Sequence, residues 1–285
     1  MTVLPAATTL GPATLRVADE GRAFAVYRDL IGLEVTGREN GRIALGAAGK
    51  SFLFLDVVPG TTPRPRHATG LYHVAILLPD RAALGQAITR LARANVKLGA
   101  ADHNVSEAIY LWDADNNGLE IYRDRPRAEW QWKDGRVTMG NLPLDFEGII
   151  ADGNRKPAAA EVPAGTRVGH VHLQVGDIEA AGRFYCDVIG FERTAERPGA
   201  LFVSAGGYHH HLGLNVWDSK NGPLPPKDAA GLEQFVIRLP DEKDIAAMRA
   251  RIEAAGLPVE NTDHGFIVRD PWQTAIRISP MHAGD

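Results

Sequence analysis

The chain has 285 residues, with 31 basic against 35 acidic side chains and a net charge of −4. That gives room for one large domain or two smaller ones, and it disfavours nucleic acid or an anionic membrane as the main partner. Its one cysteine, Cys186, excludes an intrachain disulfide framework and a cysteine-based zinc site.

Apolar stretches such as Val74–Leu78 are far too short to span a bilayer. Met1–Leu10 lacks the basic segment and apolar core of a signal peptide, so the expectation is a cytoplasmic protein. In chain order, Thr14–Val17 reads as a short strand. Glu20–Ile31 follows with apolar Ala23, Phe24, Tyr27, Leu30 and Ile31 at helical spacing, and Gly32 stands where a helix C-terminal glycine belongs. Strand-like runs come at Leu33–Val35, Arg42–Leu45 and Ser51–Val57. A second series opens with a strand at Leu71–Leu78 and a helix over Arg81–Ala94, apolar at Leu84, Ile88 and Leu91. It continues with strands at Val96–Leu98, Ala108–Trp112 and Gly118–Tyr122, the last two joined by a turn at Asp115–Gly118. Residues 126–167 carry Trp130, Trp132 and clusters of Pro, Gly and Ala. They read as a linker with some anchoring, long enough to change which segments pair.

The chain then repeats itself. Thr14–Asp19 (TLRVAD) matches His172–Asp177 (HLQVGD), and Tyr27–Glu34 (YRDLIGLE) matches Tyr185–Glu192 (YCDVIGFE) at the same offset. Gly70–Asp80 (GLYHVAILLPD) matches Gly231–Asp241 (GLEQFVIRLPD). The expected division is an N-terminal repeat over 1–125, a linker over 126–167 and a C-terminal repeat over 168–285. Each repeat splits into two βαβββ modules, at about 11–60 and 70–125, and at about 168–217 and 231–280.

Four such modules, with Phe184-Tyr185, Gly190-Phe191 and the run Asp113–Glu120 (DADNNGLE), resemble the vicinal oxygen chelate superfamily (glyoxalase, bleomycin resistance, dioxygenase). The resemblance covers nearly the whole chain apart from the linker and the first ten residues. It implies an α+β fold in which the modules form two curved sheets around clefts, as in glyoxalases and extradiol dioxygenases. Three segments narrow it. Asp102–Leu111 running into Gly118–Pro126, Gly169–Leu173, and Gly207–Trp217 are similar to the two-repeat catechol 2,3-dioxygenases.

In that superfamily, metal ligands project from first strands and from a last strand. The matching first-strand positions here are Pro12, His73, His170 and Gln234, and the last-strand positions are Glu120 and Arg277. Pro12 and Arg277 are no ligands for iron, and Gln234 is a poor one. His73, Glu120 and His170 make a complete set of two histidines and one carboxylate, which leaves about three positions on Fe(II) for a chelating substrate and O2. Conventional members draw their ligands from modules three and four. Here the set comes from modules two and three, which implies that those two close around the metal while one and four pair without it. A lone strand histidine is more often a core residue; the repeat-equivalent placement of His73 and His170 favours ligation. His172 shares the strand face of His170 and is the alternative ligand or a partner to it.

The resemblance also implies an acid–base apparatus. Tyr208–Gly213 looks like the last strand of module three, where His210 matches the acid–base histidine of extradiol enzymes. By the period of a strand, His209 and His211 point to its other face. Tyr110, across the turn from Glu120, matches a tyrosine kept near the substrate oxygens, and His103 resembles a histidine those enzymes keep just outside the ligand set, though its spacing to Tyr110 is two residues shorter than in better-known relatives. Glu107 reads as a loop or strand-edge charge, and Cys186 as a small helix residue rather than a nucleophile. Trp112, Trp130, Trp132 and Trp217 are candidate apolar walls.

The implied function is an Fe(II)-dependent extradiol dioxygenase of aromatic catabolism, with Mn(II) as a substitute metal. It places both atoms of O2 in a catechol, giving a 2-hydroxymuconic semialdehyde-type product. The expected partners are a catechol-type small molecule and O2, with no nucleic acid and no membrane, and a homo-oligomer is compatible with the sequence. The alternatives are a glyoxalase-like metal isomerase or lyase that consumes no O2, and a metal-free small-molecule binding protein.

Overall fold

A computed structural model describes residues 3–281. Module one comprises β1 (Thr9–Val17), α1 (Glu20–Phe24), β2 (Glu34–Glu39), β3 (Arg42–Ala47) and β4 (Lys50–Val57). Module two comprises β5 (Gly70–Leu77), α2 (Arg81–Arg93), β6 (Gly99–Asp102), β7 (Ser106–Trp112) and β8 (Gly118–Asp124). The segment that follows holds a two-stranded hairpin, β9 (Trp132–Lys133) and β10 (Arg136–Val137), and a helix, α3 (Phe146–Asn154). Module three comprises β11 (Arg167–Gln174), α4 (Ile178–Gly182), β12 (Glu192–Arg197), β13 (Ala200–Ser204) and β14 (Leu212–Asn215). Module four comprises β15 (Gly231–Leu239), α5 (Glu242–Ala254), β16 (Val259–Thr262), β17 (Gly265–Arg269) and β18 (Ala275–Pro280).

The repeated aspartates explain where three of the helices start. Asp19, Asp80 and Asp177 each accept a hydrogen bond from the backbone N–H three residues on, at 2.7–2.8 Å. Such a cap contributes about 1 kcal/mol by satisfying a free helix-end donor. Helices α1 and α4 continue as π-turns over Ala25–Leu30 and Arg183–Ile189, and glycines with positive φ, Gly32 (+90°) and Gly190 (+105°), follow them.

Two curved eight-stranded sheets result. One runs β16-β17-β18-β15-β1-β4-β3-β2 and joins modules four and one. The other runs β12-β13-β14-β11-β5-β8-β7-β6 and joins modules three and two. Neither sheet comes from one half of the sequence. Within each module the first and last strands pair in parallel, and an antiparallel pair of first strands closes the middle of each sheet. Buried Tyr27, from module one, donates to Asp113 of module two at 2.8 Å; Tyr185, from module three, donates to Asp270 of module four at 2.9 Å. Each bond ties one sheet to the other, and one apolar core fills the space between them.

Two local expectations need correction. Strand β1 starts at Thr9, well before Thr14. Val96–Leu98 is not a strand, because Asn95 turns left-handed (φ +55°) and Val96 N–H closes back on Leu91 O, so these residues finish the helix end. The segment between the repeats is anchored by a helix: α3 packs on α2 so closely that a Cβ at Gly85 would lie 2.1 Å from the Ile149 carbonyl oxygen, and one at Gly153 would lie 2.8 Å from the Gly85 carbonyl carbon. Arg81 of α2 secures the contact through Asp145 and Asp152, both at 2.7 Å. Among the described residues, no helix is long and apolar enough to cross a membrane.

Candidate metal centre

The register of four strands builds the site. Tyr110 on β7 lies opposite Glu120 on β8, Glu120 opposite Ala75 on β5, and Ala75 opposite His170 on β11. These residues form one row across the sheet. His73 stands two residues before Ala75 and shares its face. The small Ala75 side chain leaves the space in which Glu120, His73 and His170 converge. Glu120 Oε2 lies 2.9 Å from His73 Nε2 and 2.9 Å from His170 Nε2, and the two nitrogens are 3.4 Å apart. All three residues are buried.

This triangle fits a metal ion. Ligand atoms about 2.1 Å from an ion and at right angles lie about 3.0 Å apart, close to the three edges seen here. Two imidazole nitrogens and one carboxylate oxygen are donors that suit Fe(II). Burial alone would raise the Glu120 carboxyl, but the facing His170 and His73 rings hold it well below the ordinary range. Burial pushes His170 down to about 4, with Glu120 opposing, so its ring is neutral and able to ligate. His170 Nδ1, on the far side of the ring, is buried without a partner. The equivalent places in the other sheet carry Pro12, Gln234 and Arg277, and among the described residues no second such cluster forms.

His73 and Glu120 open onto a cavity of about 400 Å³, which Tyr110, His103, His172 and His210 also line. His103 Nδ1 lies 2.8 Å from Gly140 O, and its Nε2 lies 2.6 Å from the Tyr110 hydroxyl. A carbonyl only accepts, so Nδ1 carries the hydrogen; in the neutral ring Nε2 then accepts from Tyr110. Burial, with Glu120 nearby, raises the Tyr110 phenol well above its usual range. His172 stands beside the triangle rather than in it: its Nε2 accepts from Asn215 Nδ2 at 3.0 Å, and its ring packs edge-on against His73.

The three consecutive histidines do not lie in a strand. Gly206 and Gly207 both take positive φ (+61° and +64°) after β13, and β14 starts only at Leu212. A Cβ at Gly206 would lie 2.2 Å from Ala6 O, so the tight turn there excludes a side chain. Residues 208–211 therefore escape the alternation of a strand. His210 lines the cavity with its ring 4.1 Å from that of His170, and its Nδ1 lies 2.7 Å from Nδ1 of His209. Burial, with His170 and His209 alongside, holds His210 well below the usual histidine range. His211 points away and lines a second, smaller cavity.

Trp112 and Trp217 line the main cavity near its mouth, half exposed. Trp130 does not; it is buried against Tyr208 and His209 and donates to Arg125 O at 2.9 Å. Trp132 is exposed on β9, away from the cavity. Glu107 is not an edge charge. It is buried on β7 and accepts from Arg123 (2.6 Å), Arg81 (3.0 Å) and Arg125 (3.1 Å). Cys186 sits half-buried in the second π-turn, where burial pushes its thiol up to about 11. Sequence reasoning missed Arg197 in the cavity wall. Its guanidinium donates to Met139 O (2.6 Å) and Gly140 O (3.1 Å), holding the former linker segment over the site. No motif marked it, because its place depends on how that segment folds back.

A family model described as Glyoxalase/Bleomycin resistance protein/Dioxygenase superfamily matches residues 9–121 and 167–278. A protein of Bacillus subtilis (strain 168) named Catechol-2,3-dioxygenase is 41% identical over 276 residues, which is 95% of this chain and 96% of that one. Among solved structures, one from Bacillus subtilis subsp. subtilis str. 168 matches with a TM-score of 0.69 at 13% identity, covering 99% of this chain and 87% of its own. Glyoxalase I from Zea mays matches with a TM-score of 0.56 at 14% identity, covering 96% of this chain and 92% of its own. At such identities these two likenesses are of fold, and they agree with the two-sheet α+β architecture expected from the repeats.

Proposed function

Because the chain belongs to the Glyoxalase/Bleomycin resistance protein/Dioxygenase superfamily, and is 41% identical to a protein named Catechol-2,3-dioxygenase, we propose that it is an Fe(II)-dependent extradiol dioxygenase. Its substrate is a catechol, both atoms of O2 enter the ring-opened product, and that product is of the 2-hydroxymuconic semialdehyde type. The observation that carries this reading is the buried triangle of His73, Glu120 and His170 beside a cavity that also holds His210 and Tyr110.

His73, Glu120 and His170 would hold the ion, with Mn(II) a substitute for iron. Bound there, Fe(II) supplies open positions for two vicinal oxygens and for O2, and lets electrons pass from ring to oxygen. The protein's own groups handle protons and position. A neutral His210 takes a hydroxyl proton from the catechol at Nε2 and returns it as the ring opens. Tyr110, whose hydroxyl proton is held by His103 Nε2, presents its oxygen to the substrate hydroxyl. Trp112, Trp217 and Phe202 supply apolar wall against the ring. A metal-free binding role fits less well: it has no use for two imidazole nitrogens and a carboxylate oxygen that converge within 3.4 Å of one another. A glyoxalase-like isomerase typically takes a fourth protein ligand, and His172 stands outside the triangle.

Anaerobic reconstitution with Fe(II), followed by oxygen-electrode assays with catechol, tests the reading. It predicts one O2 consumed per ring opened, and none after chelation of the metal. Full iron occupancy with no oxygen uptake on any catechol, or isomerase turnover without O2, would refute it.

A further inference from the structure

A line of hydrogen bonds runs from the end of β8 to the cavity through residues that do not themselves line it. Asp124 Oδ1 lies 2.8 Å from His209 Nε2, and the Tyr208 hydroxyl donates to the same oxygen at 3.2 Å. A carboxylate only accepts, so His209 Nε2 carries a hydrogen. With this one hydrogen on the His209 ring, its Nδ1 is bare, and that atom faces His210 Nδ1 at 2.7 Å. The contact needs one hydrogen, which therefore sits on His210 Nδ1. His210 Nε2 is left bare toward the cavity that His210 lines.

Packing holds both rings in this order. His209 is fully buried, with the Tyr208 ring at 4.1 Å and the Trp130 ring at 5.2 Å. His210 is held between His170 at 4.1 Å and Phe202 at 5.1 Å. Turning either ring over would set a carbon where a nitrogen now bonds.

We infer that Asp124 and His209 are positioning residues that fix the tautomer of His210, so that it meets the substrate as a proton acceptor and not as a donor. Neither touches the cavity; both act through His210. The inference rests on the reading of His210 as the acid–base group. The logic is general: the partner of one imidazole nitrogen decides what the other can do. Here the partner is a second imidazole, whose own tautomer is set by a carboxylate.

The test has two arms. In the full chain, labelled with ¹⁵N-histidine and free of metal, long-range ¹H–¹⁵N spectra report which nitrogen of His210 is protonated. Wild type shows hydrogen on Nδ1 and none on Nε2. Asp124→Asn keeps the shape but can offer an N–H to His209 Nε2, which reverses the line and places hydrogen on His210 Nε2. In the iron-loaded enzyme the same variant keeps its metal content and KM while kcat falls by about 10-fold or more, part of the effect of a positioned acid–base group. His209→Phe keeps the ring but removes the bonding nitrogen; it lowers kcat similarly, and the double variant is no slower than the worse single one. A merely structural role gives additive losses and an unchanged tautomer, and would overturn the inference. So would a wild-type His210 protonated at Nε2. Wild-type kcat in His210→Phe would instead remove the acid–base reading on which the inference stands.

Discussion

Glu120→Gln keeps the side-chain volume and removes the anionic corner of the proposed metal triangle. Its Oε2 is the atom shared by the two 2.9 Å contacts, to His73 and to His170, so both edges change together. An amide in either orientation is neutral and a weaker ligand. Loss of a partner one layer further out already lowers metal affinity by about 10- to 100-fold. Loss of a direct anionic ligand costs at least the upper figure, about 2.7 kcal/mol. At saturating metal this is stabilisation that binding no longer adds to the folded state. At roughly 2–4 °C per kcal/mol for a chain of this size, the metal-induced rise in Tm shrinks by about 5–11 °C. The assay is anaerobic thermal unfolding over a series of Fe(II) and Mn(II) concentrations, with the metal-free variant as reference. Each protein is compared with its own metal-free form, so whatever the lost carboxylate does to the metal-free fold drops out of the shift. A full metal-induced shift in Glu120→Gln, with one ion per chain, would refute the reasoning.

Further outcomes follow from other parts of the molecule. His210→Phe retains iron and binds catechol but opens the ring about 10²–10⁴-fold more slowly; unchanged single-turnover rates would move the acid–base role elsewhere. Glu107→Ala leaves Arg81, Arg123 and Arg125 without their shared buried acceptor and loses about 3–5 kcal/mol in equilibrium urea unfolding; a wild-type midpoint would contradict the structural role given to Glu107. The Cys186 thiol, pushed up to about 11 by burial, needs deprotonation to react, so its modification by a disulfide reagent rises about tenfold per pH unit up to about pH 10. A plateau near pH 9, as for an exposed thiol, would count against that environment.

The four modules were legible because the same turn chemistry recurs: Asp19, Asp80 and Asp177 cap helices, and Gly32 and Gly190 follow them. The triangle was legible because its members occupy equivalent places in modules two and three, where modules one and four carry Pro12, Gln234 and Arg277. Helix α3 was not. Gly148 and Gly153 argue against a helix by propensity, yet Gly153 is what lets it approach Gly85 so closely. The reason for that glycine lies in a neighbour distant in sequence. The His209–His211 run was misread as a strand although Gly206-Gly207 is itself a turn signal; both glycines take positive φ, and β14 starts only at Leu212. Glu107 was misread although Arg123 lies opposite it across the expected β7–β8 hairpin and could have been found from the register; Arg81, on α2, reaches it only in the folded chain. Trp130 and Trp132 show the same limit: an aromatic residue near a site in sequence says little about the face it turns to the cavity.

The account stands most directly on where the metal binds. Crystals of the iron-loaded protein, measured at the iron absorption edge, should give one anomalous peak per chain between modules two and three. His73 Nε2, His170 Nε2 and a Glu120 oxygen should lie roughly 2.0–2.3 Å from it, as judged by similar nitrogen and oxygen ligands. A peak held within one half of the sequence, such as between His170 and His210 without His73 and Glu120, would contradict the account.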